Sequence, residues 1–367
     1  MKKKILFITD SLNGGGAEKV LLTYLKNIDN SLFAVDLFLI NKVGIYIEDL
    51  PSYVHLKWGF KEPLGLFGRI IRRIFLRYPF WFYLFFIRKK YDVEVAFRED
   101  CSTRIVLSSF NRKSKKISWL HTDLTRYVFY PTTPVKSYIR NLSKLNHIVC
   151  VSHGVESILH KLNPFTVGKT SVLYNPIDSI TILNQSMLPF DDPFDYSKIN
   201  LLTIGRIDKG KNHRFLINCM PILLQENRDI HLWILGVGEE MEVLKKYCED
   251  LNVTDNVHFL GFAKNPFPYL RHADLFVFSS KFEGLPTVLI EALILQKKIV
   301  SSYCIGAEEV LEYGKYGILT NLNEEEYSKK VLEMIEGYTL ENIPFNSRVK
   351  DFELKTQCSL FNNFLDA

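Results

Sequence analysis

Glu283-Gly284-Leu285-Pro286-Thr287-Val288-Leu289-Ile290-Glu291 is the stretch that decides how this chain is read. It follows the apolar run Leu275-Phe276-Val277-Phe278 and precedes the basic pair Lys297-Lys298. The apolar run reads as a buried strand, and Gly284 with Pro286 as the turn after it. Proline suits the first turn of a helix, where its missing N–H has no partner to lose, so the spacing predicts a helix from Pro286 to about Gln296. Glu283 then lies in the loop and Glu291 inside the helix. On one continuous helix, positions eight apart sit roughly 80° out of line. The loop relieves that constraint, and both carboxylates are expected to face one crevice beyond the strand's carboxyl end, where open α/β sheets bind ligands. The N–H groups of Gly284 to Thr287 then stand at a helix N-terminus, which favours a phosphate. Glu291 interrupts Val288-Leu289-Ile290 and Ala292-Leu293-Ile294-Leu295, and a carboxylate in so apolar a helix needs a partner.

A Glu, seven residues and a second Glu, with Glu-Gly-Leu-Pro at the head and Glu-Ala at the foot, resembles the signature of the family-four retaining glycosyltransferases. The resemblance implies an α/β chain of GT-B fold, two facing Rossmann-like domains with a C-terminal helix crossing back. It also implies that Glu283 faces the donor sugar and Glu291 binds the nucleotide ribose.

The length of 367 residues suits two such domains better than one core. The expected division is 1–180 for an acceptor-binding domain, 181–198 for a linker rich in Asn, Gln, Asp, Pro and Ser, 199–345 for a nucleotide-sugar-binding domain, and 346–367 for the helix that packs back on the first. No apolar run reaches the roughly 20 residues that span a bilayer. Met1-Lys2-Lys3-Lys4 followed by Ile5 to Thr9 imitates a secretory signal, but Asp10 breaks the apolar part and no small-residue cleavage site follows, so it reads as the first strand. The six cysteines are scattered, without a Cys-x-x-Cys pair or a His at metal-ligand spacing, and read as free buried thiols of a cytoplasmic protein. The net charge of +5 conceals +13 over residues 1–180 and −8 over the remainder. That split directs the first half toward an anionic surface, lipid or nucleic acid.

Taken in order, the strand Lys4 to Thr9 leads into Asn13-Gly14-Gly15-Gly16-Ala17-Glu18 and a helix through Val20 and Leu25. A dinucleotide fingerprint wants a third glycine where Lys19 stands, and an acid after the second strand, Ala34 to Ile40, where Asn41 stands. The Gly-Gly-Ala-Glu form is similar instead to the family's first glycine loop, and this implies that Gly15 and Gly16 touch the donor phosphate. Residues 57–90 mix basic and aromatic side chains. Arg69, Arg72, Arg73 and Arg77 fall at helical spacing, and the composition suits a helix in a membrane interface, each cation near anionic lipid adding about 1 kcal/mol. Arg98-Glu99-Asp100 closes one strand and His121-Thr122-Asp123 the next; the family has a His at the latter end that hydrogen-bonds the donor sugar, which implies that role for His121.

The second series opens at Ile199 and turns at Gly205-Arg206. Two cations five apart, in a loop running from a strand to a helix, suit a diphosphate: arginine forks onto two oxygens and lysine adds a point charge. The family's Gly-Arg and Lys bind the donor diphosphate, matching Arg206 and Lys211. The loops Gly236-Val237-Gly238-Glu239 and Gly261-Phe262 are implied to border the nucleotide, the latter through its backbone at the base. Donor binding is thus assigned to Gly15, Gly16, Arg206, Lys211, Gly261, Phe262, Gly284, Leu285, Thr287 and Glu291, and catalysis to Glu283, His121, Arg206 and Lys211.

The implied reaction is transfer of a sugar, with retention, from a nucleotide diphosphate sugar, a UDP-sugar for preference, to a hydroxyl. Fixed cations and helix N–H groups stabilise the leaving diphosphate, so neither metal nor other cofactor is expected. The basic-aromatic stretch directs the acceptor reading to a polyprenyl-linked saccharide at the inner membrane face, in polysaccharide or capsule assembly, with the protein peripherally attached. Rival readings are a nucleotide-sugar epimerase or phosphorylase of the same fold and a non-catalytic partner of a synthase complex. No nucleic-acid-binding module is recognisable, and no nucleic-acid partner is expected.

Overall fold

The computed structural model describes residues 2–127, 133–226, 229–337 and 345–366, and the chain forms two compact units, 1–176 with 354–367 and 177–353. The termini Met1 and Ala367, which fall in the first strand's leader and the final helix of the sequence reading, lie outside the described residues.

Unit 1 holds a seven-stranded parallel sheet: β1 (Lys3–Thr9), β2 (Phe33–Lys42), β3 (Val54–Lys61), β4 (Val93–Ala96), β5 (Lys115–Leu120), β6 (His147–Cys150) and β7 (Thr170–Val172), in the order β3-β2-β1-β4-β5-β6-β7. Central strands covered on both faces read as continuous apolar runs, and Ile5 to Ile8 are fully buried. The order reverses between β1 and β4, which makes the carboxyl ends of those strands the switch point where open sheets take ligands. The helix α1 (Gly16–Asn27) leaves that point after β1. Between β3 and β4 lie α2 (Leu66–Arg77) and α3 (Pro79–Phe86), and α4 (Cys101–Leu107) follows β4.

The C-terminal helix Leu354–Asp366 belongs to unit 1. Its Phe361 ring sits 4.4 Å from Tyr24 and 5.7 Å from Trp119, inside an aromatic core that also holds Phe7 and Phe97. Burying such a ring contributes on the order of 2–3 kcal/mol, and Asn362 Oδ1 ties the same helix to the Asp29 N–H at 3.1 Å.

Unit 2 holds a six-stranded parallel sheet: β8 (Ile199–Ile204), β9 (Ile230–Leu235), β10 (Val257–Gly261), β11 (Leu275–Phe278), β12 (Lys298–Ser302) and β13 (Ile318–Thr320), in the order β10-β9-β8-β11-β12-β13. Its switch point falls between β8 and β11. Leu201, Leu232, Ile234, Val277 and Val300 pack from the sheet against Phe215, Met220, Tyr327 and Val331.

The structure moves the boundaries read from the sequence. Residues 181–198 are no free linker: the helix Ser179–Gln185, capped by Asp178 accepting from the Thr181 N–H, begins them inside unit 2. Phe190 lies 4.8 Å from Tyr269 and Phe194 5.3 Å from Trp233, so two aromatics pin a segment whose polar composition suggested a loop. The final helix starts at Leu354, with residues up to 353 in unit 2. Lys57 to Lys61, read with the interfacial segment, belong to the edge strand β3. All six cysteines are free and buried, and no helix among the described residues is long and apolar enough to cross a membrane.

Candidate functional site

The loop leaving β8 is held rigidly before any ligand arrives. Gly205 N–H donates to Leu235 O at 3.0 Å, Ile207 N–H to Val237 O at 3.0 Å, and Glu240 N–H to Ile207 O at 3.1 Å. These bonds bring the β9 loop so close that a Cβ on Gly236, whose φ is +155°, would stand 1.8 Å from Gly205 O, and one on Gly238 2.2 Å from Ile207 O. Glycine is required at both places by backbone contact. Asp208 Oδ1 then accepts from the N–H groups of Gly210 and Lys211 at 2.9 and 3.0 Å, which turns the chain and aims Lys211 inward. Arg206 points outward: its side chain is 80 % exposed, 3.4 Å from Asp208 Oδ2.

The loop leaving β11 meets it at the switch point of unit 2. Ser279 Oγ donates to the carbonyls of Lys211 and Asn212, and Lys281 N–H to Gly210 O at 3.0 Å. Lys211 Nζ reaches Glu283 Oε1 at 2.5 Å, and Ser280 Oγ donates to the same oxygen at 3.1 Å. Both charged side chains keep about a fifth of their surface accessible, so the pair is reachable by a ligand. The helix that follows is Thr287–Ile294, with Pro286 as its N-cap and Gln296 in the left-handed region after its end. It is shorter than the Pro286–Gln296 reading by one residue at the start and two at the end. Pro286 makes no side-chain cap bond, so the N-terminus of this helix, four residues after Glu283, leaves N–H groups without a capping side chain at the N-cap. Leu285 is buried, and Glu291 lies in the second turn, 9 % exposed, among Val288, Leu289, Ile290 and Ala292.

A residue to which the sequence reading gave no role holds this loop in place. Gly306 donates its N–H to Glu283 O at 3.2 Å, and a Cβ there would lie 2.6 Å from Pro286 Cδ and 2.8 Å from Gly284 O. The signal was a glycine at the second position of the helix Ile305–Val310, four residues after β12 ends, a place where alanine would normally serve better. On the other flank of the sheet, Gly261 has φ +73° at the irregular end of β10 and its carbonyl accepts from Gly236 N–H at 2.8 Å, while Phe262 projects into solvent, 73 % exposed.

In unit 1 the glycine loop after β1 is already occupied by its own chain. The N–H groups of Gly14 and Gly15 donate to Glu18 Oε2 at 2.8 and 3.0 Å, so the N–H of Gly15 assigned to a phosphate is bonded to a carboxylate here. Gly16, the first residue of α1, has open space where a Cβ would be. Arg98 lies 3.8 Å from Glu18 and 3.9 Å from Asp10. Burial pushes the Asp10 carboxyl up to about 6, against the pull of Arg98.

His121 directly follows β5, its ring 5.0 Å from that of Phe97 and 6.3 Å from that of Trp119, and Nε2 lies 3.1 Å from Phe97 O. That carbonyl fixes the tautomer with the proton on Nε2 and leaves Nδ1 as an acceptor. Burial and then the Arg98 charge hold the imidazole down to about 3, opposed by the Phe97 bond, so the ring is neutral through the physiological range. Glu99 accepts from the backbone N–H groups of His121 and Thr122, locking this strand end.

The structure therefore brings Lys211, Glu283 and the N-terminus at Thr287 together, with Gly284 and Leu285 in the same loop and Arg206 at its rim. Within unit 1 it gathers Asp10, Glu18, Arg98 and Glu99 beside Gly15 and His121; sequence reasoning assigned no role to these four.

The 57–90 segment is only partly the basic face expected. Arg72 is turned into the fold, 2.6 Å from Glu62 and 3.2 Å from Asn41, and Lys57 and Lys89 pair with the buried Asp36 at 2.7 and 3.1 Å. Arg69, Arg73 and Arg77 stay exposed, and α2 and α3 also present apolar side chains: Leu66 and Phe67 are 77 and 80 % exposed, with Ile70, Ile71, Ile74, Phe80, Trp81 and Phe85 exposed beside them. A patch of that kind marks a contact surface.

Residues 198–337 match the family described as glycosyl transferases group 1. Over 321 residues the chain is 29 % identical to an uncharacterized glycosyltransferase of Methanocaldococcus jannaschii, covering 72 % of this chain and 77 % of that one. Over 344 residues it is 28 % identical to the N-acetylgalactosamine-N,N'-diacetylbacillosaminyl-diphospho-undecaprenol 4-alpha-N-acetylgalactosaminyltransferase of Campylobacter jejuni, covering 89 and 87 %. Among solved structures, the Anabaena protein HepE in complex with UDP and glucose aligns over the full length of both chains with a TM-score of 0.75 at 19 % identity, which shows a shared GT-B fold.

Proposed function

We propose that this chain, a glycosyltransferase of GT-B fold, moves a sugar with retention from a nucleotide diphosphate sugar to a hydroxyl of a lipid-linked saccharide in polysaccharide assembly. The observation that carries the proposal is the Lys211–Glu283 pair at the switch point of unit 2, beside an uncapped helix N-terminus and the exposed Arg206. Cation, carboxylate and N–H groups in one loop pair suit a sugar diphosphate: Arg206 and Lys211 take the phosphates, and Glu283 takes the sugar. Glu291 takes the ribose, and Gly261 and Phe262 border the base; in unit 1, His121 carries a neutral imidazole suited to a sugar hydroxyl. A UDP donor is supported by the nucleotide in the HepE complex, and the undecaprenol-linked acceptor by the name of the Campylobacter relative.

In the reaction the bond from the anomeric carbon to the diphosphate oxygen breaks and its electron pair leaves with the phosphate. The acceptor oxygen bonds to the same face of that carbon and gives its proton to the departing phosphate oxygen. Charge builds on the leaving group, and each positioned donor there is worth about 2.7–4 kcal/mol. Unit 1 takes the acceptor, and the exposed apolar face of α2 and α3, with Arg69 and Arg73, rests on the inner leaflet.

The test is a thermal-shift panel of nucleoside diphosphates and their sugars, followed by transfer to undecaprenyl diphosphate-linked saccharides. A ligand at 100 times its dissociation constant raises stability by about 2.7 kcal/mol. Donor converted without acceptor would favour the epimerase reading; tight binding with no transfer across the acceptor panel would favour the non-catalytic one. Failure to bind anionic vesicles at low salt would remove the membrane part alone.

A further inference from the structure

Unit 1 contains a cavity of about 410 Å³ at the C-terminal end of α3, outside the site described above. Its walls are apolar, formed by Tyr83, Leu84, Phe85 and Phe110, and Arg88 and Lys90 stand at its rim. Pockets that hold small ligands measure about 300–1,000 Å³ and share this combination of apolar lining and a few charged groups.

The walls are fixed by the fold. Tyr83 hydroxyl donates to Glu94 Oε1 at 3.0 Å in the interior, Phe110 packs 4.5 Å from Phe80 and 5.8 Å from Tyr83, and Asn111 Nδ2 donates to Tyr91 O at 2.5 Å. The rim cations differ in kind. Lys89 is committed to Asp36 at 3.1 Å, whereas Arg88 and Lys90 are exposed and have no ion-pair partner among the described residues.

Position selects the occupant. Arg88 to Lys90 precede β4, and Phe110 and Asn111 precede β5, so the cavity opens at the amino ends of these strands. The strand ends that carry Glu99 and His121 lie at the opposite edge, roughly 13 Å away along a four-residue strand. The cavity therefore does not receive the end of the acceptor that reacts. It adjoins the exposed Trp81 and Phe85 of the surface assigned to the membrane.

We infer that this cavity holds one anionic phospholipid drawn from the bilayer, one of its two acyl chains between Leu84, Phe85 and Phe110, the other left in the bilayer, and its phosphate between Arg88 and Lys90. The inference deepens the membrane part of the proposed function and rests on that part, not on sugar transfer. Bound lipid would seat unit 1 in a fixed orientation, which a general apolar face does not provide.

Native mass spectrometry of the full chain, released from mixed phosphatidylglycerol and phosphatidylcholine micelles, reads the stoichiometry directly; vesicle flotation is run in parallel. The expected result is one phosphatidylglycerol per chain, retained in preference to phosphatidylcholine. Each rim cation contributes about fivefold, so Arg88→Ala with Lys90→Ala lowers that preference roughly twenty-five-fold. Leu84→Trp, which fills the cavity but keeps the surface apolar, abolishes the retained lipid while flotation persists through α2. Flotation without any stoichiometric lipid overturns the cavity and spares the membrane surface; loss of flotation with lipid still retained does the reverse, and loss of both removes both. Equal retention of the two lipids, or displacement of phosphatidylglycerol by an equimolar polyprenyl phosphate, overturns the assignment.

Discussion

Replacing Glu283 by glutamine removes one charge from the loop pair and leaves its shape in place, because Ser280 Oγ donates as well to an amide oxygen as to a carboxylate. In the protein as it stands Lys211 is held by Glu283 at 2.5 Å, with both side chains about one-fifth exposed. At that separation unit charges attract by about 2 kcal/mol in water and about 7 kcal/mol at an effective dielectric of 20, and partial exposure places this pair between those limits. A diphosphate must share that lysine with Glu283. Freeing it by Glu283→Gln returns about 1.4 kcal/mol to nucleotide binding, a tenfold tighter dissociation constant. The transfer step moves the other way: a lost contact to the reacting sugar costs about 2.7–4 kcal/mol, or 10²–10³ in turnover. Calorimetry with UDP measures the first effect, and release of UDP in the presence of a lipid-linked acceptor the second. Opposite signs are the signature of a carboxylate that faces the sugar. Weaker UDP binding by tenfold or more, or turnover within threefold of wild type, would refute the reasoning.

Three further outcomes are expected. Gly306→Ala forces a Cβ to within 3 Å of Pro286, Gly284 and Glu283, an overpacking of about 1–3 kcal/mol, and lowers the melting temperature by roughly 3–10 °C with loss of nucleotide binding; an unchanged melting curve contradicts the close approach. Arg206→Ala leaves stability within about 0.5 kcal/mol, since the side chain is exposed, and weakens UDP by about 1.5–3 kcal/mol, 10- to 150-fold, in calorimetry. For pH, the unfolded chain protonates His121 near 6.5 and the native one only near 3, so this group lowers stability as pH falls from 6.5. Asp10 acts oppositely: the native carboxyl keeps its proton to about 6 and the unfolded one to 3.8, so stability falls as pH rises through that window. Urea midpoints of Asp10→Asn should therefore gain on wild type between pH 4 and 6 and stay ahead above it, a gap whose absence would deny the burial of Asp10.

The loop pair of unit 2 was legible because its parts are local. An apolar four-residue strand, a Gly-Leu-Pro turn and an apolar helix specify β11, its loop and the helix Thr287–Ile294 within a residue or two, and Arg206 and Lys211 follow from a strand ending in glycine. What was hidden depends on contacts distant in sequence. Lys57 reads as surface charge until β3 lies beside β2 and delivers it to Asp36. Arg72 falls on the helical wheel with Arg69 and Arg73, yet Glu62 and Asn41 draw it inward. Ile182, Phe190 and Phe194 anchor a segment whose Asn, Gln, Asp, Pro and Ser suggested a loop, and their packing makes it part of unit 2. Glu18 looked like a family letter and proved to be the partner of the loop's own N–H groups.

The central claim is that unit 2 recognises the diphosphate of its donor through Arg206 and Lys211. Calorimetric titration of wild type and Lys211→Ala with UDP and with UMP isolates that contact, since the two nucleotides differ by one phosphate. The account predicts that wild type binds UDP at least tenfold more tightly than UMP and that Lys211→Ala erases most of the difference while UMP affinity stays within threefold. Equal affinities for the two nucleotides in wild type, or an undiminished preference for UDP in Lys211→Ala, would contradict it.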